Sequence, residues 1–205
     1  MIFSIIGGAS GVGKTSLLRS FSDIKQVNTG DLFQQSMSLE NRDEIRKGDW
    51  SVLEGDVTKK LADISSESIR SKKDLIIDTH FAAKIYGSQY RIGLKEEYLY
   101  QLGKSILKLC VNEMLTVNVI LISADPHSLL TRRRLDRSRN RELVPSDCYR
   151  DLRYNDVYSR RYLTAFRRAE KNIGMNMPGL KMGYFSVENE AFDLSEMQLI
   201  SILRR

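Results

Sequence analysis

Residues 8–15 read GASGVGKT, three glycines followed by a lysine and a hydroxyl. They fit the phosphate-binding pattern G-x-x-x-x-G-K-[ST] in full. Gly8, Gly11 and Gly13 let the backbone turn with positive φ and bring bare N–H groups close to an anion. The helix that follows points its N-terminal partial positive charge at the same place. Lys14 is spaced to reach the β- and γ-phosphates of a nucleoside triphosphate, and the Thr15 hydroxyl is a ligand for Mg²⁺. Val12 and Ser16 complete the expected nucleotide-binding set of Gly8, Gly11, Val12, Gly13, Lys14, Thr15 and Ser16.

Other residues suit the same chemistry. Leu75-Ile76-Ile77-Asp78 is a buried strand ending in a carboxylate. In an open parallel sheet, ligands sit beyond the carboxyl ends of the strands, which puts Asp78 beside the glycine loop as a second Mg²⁺ residue. His80 either bonds a substrate or caps a loop. Thr29 and Asp31 flank Gly30, where one reading is ligand binding and the other is helix capping. Arg42 and Arg46 are four apart, so they share one helical face that either grips a phosphate or is solvated. The stretch Arg132 to Arg141 is dense in arginine. It reads as a solvated helix end, as a nucleic-acid surface, or as a clamp closing over the phosphates. It lacks the interleaved aromatics of a single-strand platform, so nucleic acid is the less favoured partner.

These residues need a scaffold, and the chain alternates the elements for one. Strands are expected near Ile2–Ile6, Ile24–Asn28, Leu75–Asp78, Val117–Ser123 and Lys181–Val187. Between them come helices after residue 14, after Thr29-Gly30-Asp31, over Val57–Ile69, over Glu96–Leu109, from His127, over Ser146–Lys171 and over Asp193–Leu203. In the last of these, Leu194, Met197, Ile200 and Leu203 are expected to face inward. Lys84 to Gly93 reads as a surface loop. This alternation predicts an α/β layered sheet with right-handed crossovers. The 205 residues suit one domain, and 41% hydrophobic content suffices for a core. Two cysteines, no basic apolar leader and no membrane-length apolar run point to a reducing, cytoplasmic setting. The net charge of +6 suits polyanionic ligands.

Taken in order, several segments resemble an adenylate kinase of the archaeal type, within the P-loop nucleoside monophosphate kinases. They are GVGKT (residues 11–15), NTGD (28–31), NRDEIRK (41–47), LIIDTH (75–80), ADP (124–126), Arg132 with RSRNRE (137–142), and VEN (187–189) before the final helix. The resemblance implies a P-loop NTPase fold: three α/β/α layers, a five-stranded parallel sheet and a short arginine-rich lid. It implies a single kinase domain over residues 1–205, with a monophosphate-binding excursion at about 29–72 and a lid at about 132–146.

It also implies roles. Lys14 and the loop amides would hold the donor phosphates, and Thr15 and Asp78 would serve Mg²⁺. Thr29, Asp31, Arg42, Arg46, His80 and Lys84 would line the acceptor site. Arg132 would lie against the donor base or its phosphates, with Arg139 and Arg141 as the lid clamp. Arg160, or its neighbour Arg161, would be the arginine of the following helix. Homo-oligomeric assembly is a further suggestion of the family.

Two departures bear on the acceptor. The family continues after D-T-H with a proline-rich stretch, whereas residues 85–94 here contain no proline. Gln34 stands where bacterial-type enzymes place a phosphate-binding arginine, which leaves that work to Arg42 or Arg46. The expected function is transfer of the ATP γ-phosphate to a nucleoside monophosphate, AMP in the simplest case. The alternatives are a P-loop kinase of another small acceptor, with Asp31 or Asp78 as base, and a nucleotide-dependent ATPase that binds RNA or protein.

Overall fold

A computed structural model of the chain describes residues 1–37, 50–84, 89–111, 113–136, 145–174 and 177–204. Five strands form one parallel sheet: β1 (Ile2–Gly7), β2 (Lys25–Asn28), β3 (Leu75–Thr79), β6 (Leu115–Ser123) and β7 (Leu180–Glu188). Their spatial order is β2-β3-β1-β6-β7. A parallel sheet must be covered on both faces, and the apolar sequences of β1, β3 and β6 reflect that.

Side chains of a strand alternate between faces, so β1 feeds two separate cores. Phe3 and Ile5 pack with α2 (Thr29–Ser36), α3 (Trp50–Arg70), α4 (Glu96–Leu109) and α6 (Pro145–Ile173). Ile6 faces the other way, toward α1 (Lys14–Leu18), α5 (Pro126–Leu135) and α7 (Phe192–Leu203). Each fully buried Leu, Ile or Phe here contributes about 1.5–3 kcal/mol by leaving water. The result is the three-layer α/β/α arrangement expected from the sequence.

Three expectations are corrected. Lys84 to Gly93 is not simply a loop, because β4 (Ala82–Lys84) and β5 (Tyr90–Ile92) pair as an antiparallel hairpin. The final helix is turned relative to its expected face. Leu194, Met197 and Ile200 are exposed and only Leu203 of the expected set is buried, alongside Ser195, Leu199 and Ile202. That helix is apolar nearly all round, so hydrophobic spacing could not select a face. Helix α3 begins at Trp50, ahead of the expected Val57, and its early turns bury Glu54. Among the described residues no helix is long and apolar enough to cross a membrane.

Candidate functional site

The chemistry-bearing residues hang from the carboxyl edge of the sheet. Strand β1 has β3 on one side and β6 on the other; the connection leaving β1 runs toward β2 and the one leaving β6 runs toward β7, and in such sheets ligands sit beyond the carboxyl ends of the strands at that reversal. The glycine loop leaves β1 there. Gly13 has φ of 91°, and a Cβ at that position would collide with the side-chain amide of Asn189. A Cβ at Gly8 would meet the carbonyl oxygen of Ile122. The cradle therefore has room for backbone only, which fits a ligand bound by amides.

Lys14 is buried in the first turn of α1, and its Nζ donates to the Gly8 carbonyl oxygen at 3.2 Å. The side chain folds back over the loop. Thr15 and Ser16 beside it are exposed. His80, after β3, brings Nδ1 to 2.8 Å from the same Gly8 oxygen and 3.4 Å from Lys14 Nζ. A carbonyl oxygen only accepts, so the short contact puts the proton on His80 Nδ1.

Asp78 lies at the end of β3, where its Oδ2 accepts from Asn28 Nδ2 at 2.6 Å. The Asn28 side chain also accepts from Gly30 N at 2.8 Å and Asp31 N at 3.3 Å. Asn28 is thus the N-cap of α2, a role that one of the two sequence readings offered to Thr29 and Asp31. Strand β2 runs directly into the helix, so capping falls one residue earlier. Thr29 is instead buried, donating from Oγ1 to Thr79 Oγ1 at 3.0 Å. Asp31 stands half-exposed in the first turn of α2.

The loop is also held from outside. Asn189, just after β7, donates from Nδ2 to Val12 O at 2.7 Å. Arg132 donates to Val12 O at 3.2 Å and to Asn189 O at 2.5 Å. Arg132 thus reaches the loop through bonds to the carbonyl oxygens of Val12 and Asn189. Its neighbour Arg133 donates from Nε to Ser10 O at 2.9 Å and pairs with Asp151 Oδ2 at 2.6 Å. Helix α5 presents both arginines because Asp125 caps it, accepting from Ser128 N at 2.9 Å, with Pro126 opening the first turn.

Lys84 ends β4 and pairs with Asp147 at 2.5 Å. Arg160 is not brought to the loop. It pairs with Asp156 at 3.3 Å and lies over the Tyr184 ring of edge strand β7, 5.1 Å from its centroid. Arg161 turns to Glu96 and the Tyr158 ring. Arg42, Arg46, Arg139 and Arg141 lie outside the described residues.

An ion cluster around a buried carboxylate links α3 to β5 and the start of α4. Glu54 of α3 is fully buried and pairs with Arg91 of β5, while Lys95 Nζ lies 3.4 Å from its other oxygen. Burial raises the Glu54 carboxyl above its ordinary value, and the two cations oppose that shift. Tyr162 is buried beside it, accepting from Leu94 N at 2.9 Å, and burial pushes its phenol up.

Sequence reasoning missed Asn28, Arg133, Asp151, Asn189 and the Glu54–Arg91 pair. Asn28 had a signal, since an asparagine before a helix start is a preferred cap. Asn189 lay inside a matched segment without a role. Asp151 and Glu54 had none, because their partners are remote in sequence.

Comparison with known proteins gives the following similarities. A family model described as an AAA domain matches residues 7–147. The chain is 29% identical over 177 residues to an adenylate kinase of Methanoculleus marisnigri, covering 79% of this chain and 81% of that protein. Its fold is similar to a crystal structure of a candidate kinase from Chloroflexus aurantiacus J-10-fl, with a TM-score of 0.51 and 12% identity, covering 99% of this chain and 96% of that one. A shikimate kinase structure from Bacteroides thetaiotaomicron gives a TM-score of 0.49 at 12% identity, over 100% of this chain and 99% of that one. By the match over residues 7–147 the chain belongs to the AAA-domain family, as a divergent P-loop kinase and an ATP-dependent phosphotransferase.

Proposed function

We propose that the chain is a nucleoside monophosphate kinase that transfers the ATP γ-phosphate to an acceptor phosphate, AMP being the first candidate. One observation carries the reading. Lys14, from the donor loop, and His80, from the strand bordering the acceptor side, converge on one carbonyl oxygen, that of Gly8. Two phosphate-bearing ligands entering from opposite sides would meet there. The adenylate kinase relative supports AMP as the acceptor.

In this reading the loop amides and Lys14 hold the donor phosphates, as Gly8, Gly11, Val12, Gly13, Thr15 and Ser16 line the cradle. Thr15 and Asp78 would hold Mg²⁺, which would supply charge neutralisation for the donor phosphates. An acceptor phosphate oxygen forms a bond to the γ-phosphorus as the bond to the β,γ-bridging oxygen breaks, and ADP leaves. The acceptor is already anionic, so no side chain has to remove a proton. Thr29, Asp31, Arg42, Arg46, His80 and Lys84 form the acceptor side, and Arg139 and Arg141 the clamp of the lid. The excursion at about 29–72 and the lid at about 132–146 belong to one kinase domain. Arg160 is left out of the reacting set.

The test is direct. The protein is mixed with Mg·ATP and, in turn, AMP, CMP, UMP, GMP and their deoxy forms, and ADP is measured. Formation well above the ATP-only rate with one monophosphate is expected. Background rates with all of them, or transfer only to a hydroxyl-bearing metabolite, would overturn the proposal.

A further inference from the structure

Helix α6 carries a polar stripe where it meets the β4–β5 hairpin. Asp147, Asp151 and Asn155 are four residues apart, so they stack on one face. All three bond to the hairpin: Asp147 to Lys84 at 2.5 Å, Asp151 to the Tyr90 hydroxyl, and Asn155 Oδ1 to Ala82 N at 3.1 Å. The Tyr90 ring also stacks on Tyr154, with centroids 4.4 Å apart and planes at 16°. An apolar face would have held the hairpin without fixing its register. Directional bonds fix both position and orientation.

Asp151 differs from its two neighbours in the stripe because it also faces the donor side. One oxygen accepts from Tyr90 and the other from Arg133 Nη2 at 2.6 Å. The Arg133 side chain is only 8% exposed. A guanidinium this buried needs a carboxylate partner to stay in place. Its planar fork then fixes where Nε points, which is at the Ser10 carbonyl oxygen. A trans peptide is planar, with C=O and the next N–H directed oppositely. Holding Ser10 O against Arg133 therefore directs the Gly11 N–H away from Arg133. The Tyr90 phenol is pushed up by burial and by the Asp151 carboxylate, so it remains a donor throughout the working pH range.

We propose that Asp151 is a positioning residue for the donor loop, with one carboxylate oxygen setting Arg133 against Ser10 and the other taking its own position from the acceptor-side hairpin through Tyr90. This rests on the reading of residues 8–15 as the donor-phosphate cradle. It adds a physical link between the two substrate sides.

The test is calorimetric titration of Mg·ATP into wild type, Asp151→Asn, Tyr90→Phe and the double variant, with thermal midpoints measured alongside. Asp151→Asn is expected to weaken ATP binding about tenfold. Tyr90→Phe keeps the ring and its stack, and is expected to weaken ATP binding about threefold in the wild-type background but not in the Asp151→Asn background. A merely structural role would instead lower the thermal midpoints and give effects that multiply. Multiplying effects, or unchanged ATP affinity in Tyr90→Phe, would overturn the proposal. Tyr90→Phe alone decides the matter if Asp151→Asn does not fold. No ATP binding by wild type would overturn the cradle reading and this inference with it.

Discussion

Asn28 joins helix α2 to the Asp78 carboxylate of β3, and its substitution separates two contributions. In Asn28→Ala the cap of α2 is lost, at about 1 kcal/mol. The hydrogen bond to the Asp78 carboxylate at 2.6 Å is lost as well, at about 1.5–3 kcal/mol for a charged acceptor. Together these predict about 2.5–4 kcal/mol of destabilisation at pH 7. With a urea slope of about 2–3 kcal/mol/M, the unfolding midpoint should fall by about 1–2 M. Asn28→Asp retains the cap acceptor but sets a second carboxylate against Asp78. At pH 7 it should be at least as unstable as Asn28→Ala. On acidification the two carboxylates can share a proton, which restores a hydrogen bond while the cap persists. The Asn28→Asp midpoint should then rise above that of Asn28→Ala. Millimolar Mg²⁺ should raise it too, since two adjacent carboxylates favour the ion. The assay is urea denaturation followed by far-UV circular dichroism at pH 7 and pH 5, with and without Mg²⁺. An Asn28→Asp protein as stable as wild type at pH 7, or an Asn28→Ala change below about 0.5 kcal/mol, would refute the reasoning, because the latter is the scatter of ordinary surface substitutions.

Further outcomes are expected elsewhere. Lys14→Met should lower phosphoryl transfer by roughly 10²–10³-fold in a coupled ADP assay while the protein remains folded, and an active variant would remove Lys14 from the site. Gly13→Ala should cost about 1–3 kcal/mol by forcing a side chain into positive φ and toward Asn189, and should weaken ATP in calorimetry; denaturation identical to wild type would contradict the cradle geometry. Arg160→Ala should leave transfer within about twofold and stability within about 0.5 kcal/mol, since its ion pair is exposed; a large loss of activity would return Arg160 to the reacting set. Glu54 has a raised carboxyl, so the folded state binds its proton more tightly than the unfolded state does. Its contribution is fully present below the ordinary value of 4.5 and is lost as pH rises through the raised value. Glu54→Gln should flatten the decline of stability with pH above 4.5, and an unchanged slope would show that Glu54 does not cause it.

The sheet and the loop were legible because local signals coincide there. An apolar strand, three glycines, a lysine and a threonine state one conformation and one chemistry. The strand ending in Asp78 was legible for the same reason, since position in a parallel sheet implies position in space. The hairpin was hidden because its strands are three residues each, too short for a pattern of alternation to stand out. Arg160 and Arg133 show the limit more sharply. Both lie in arginine-rich helical stretches, and sequence cannot tell which guanidinium turns inward. That depends on Asp151 for Arg133 and on Tyr184 for Arg160, which are brought near only by folding, whereas Asp156 sits one helical turn before Arg160.

Asn189 gives the order of synthesis a consequence. It pins Val12, 177 residues earlier in the chain, and it follows the last strand of the sheet. A ribosome therefore delivers the whole glycine motif long before the residue that holds it in shape. A product truncated ahead of residue 189 would keep the motif and the arginine contacts from α5 but lose the contact that Asn189 makes with Val12.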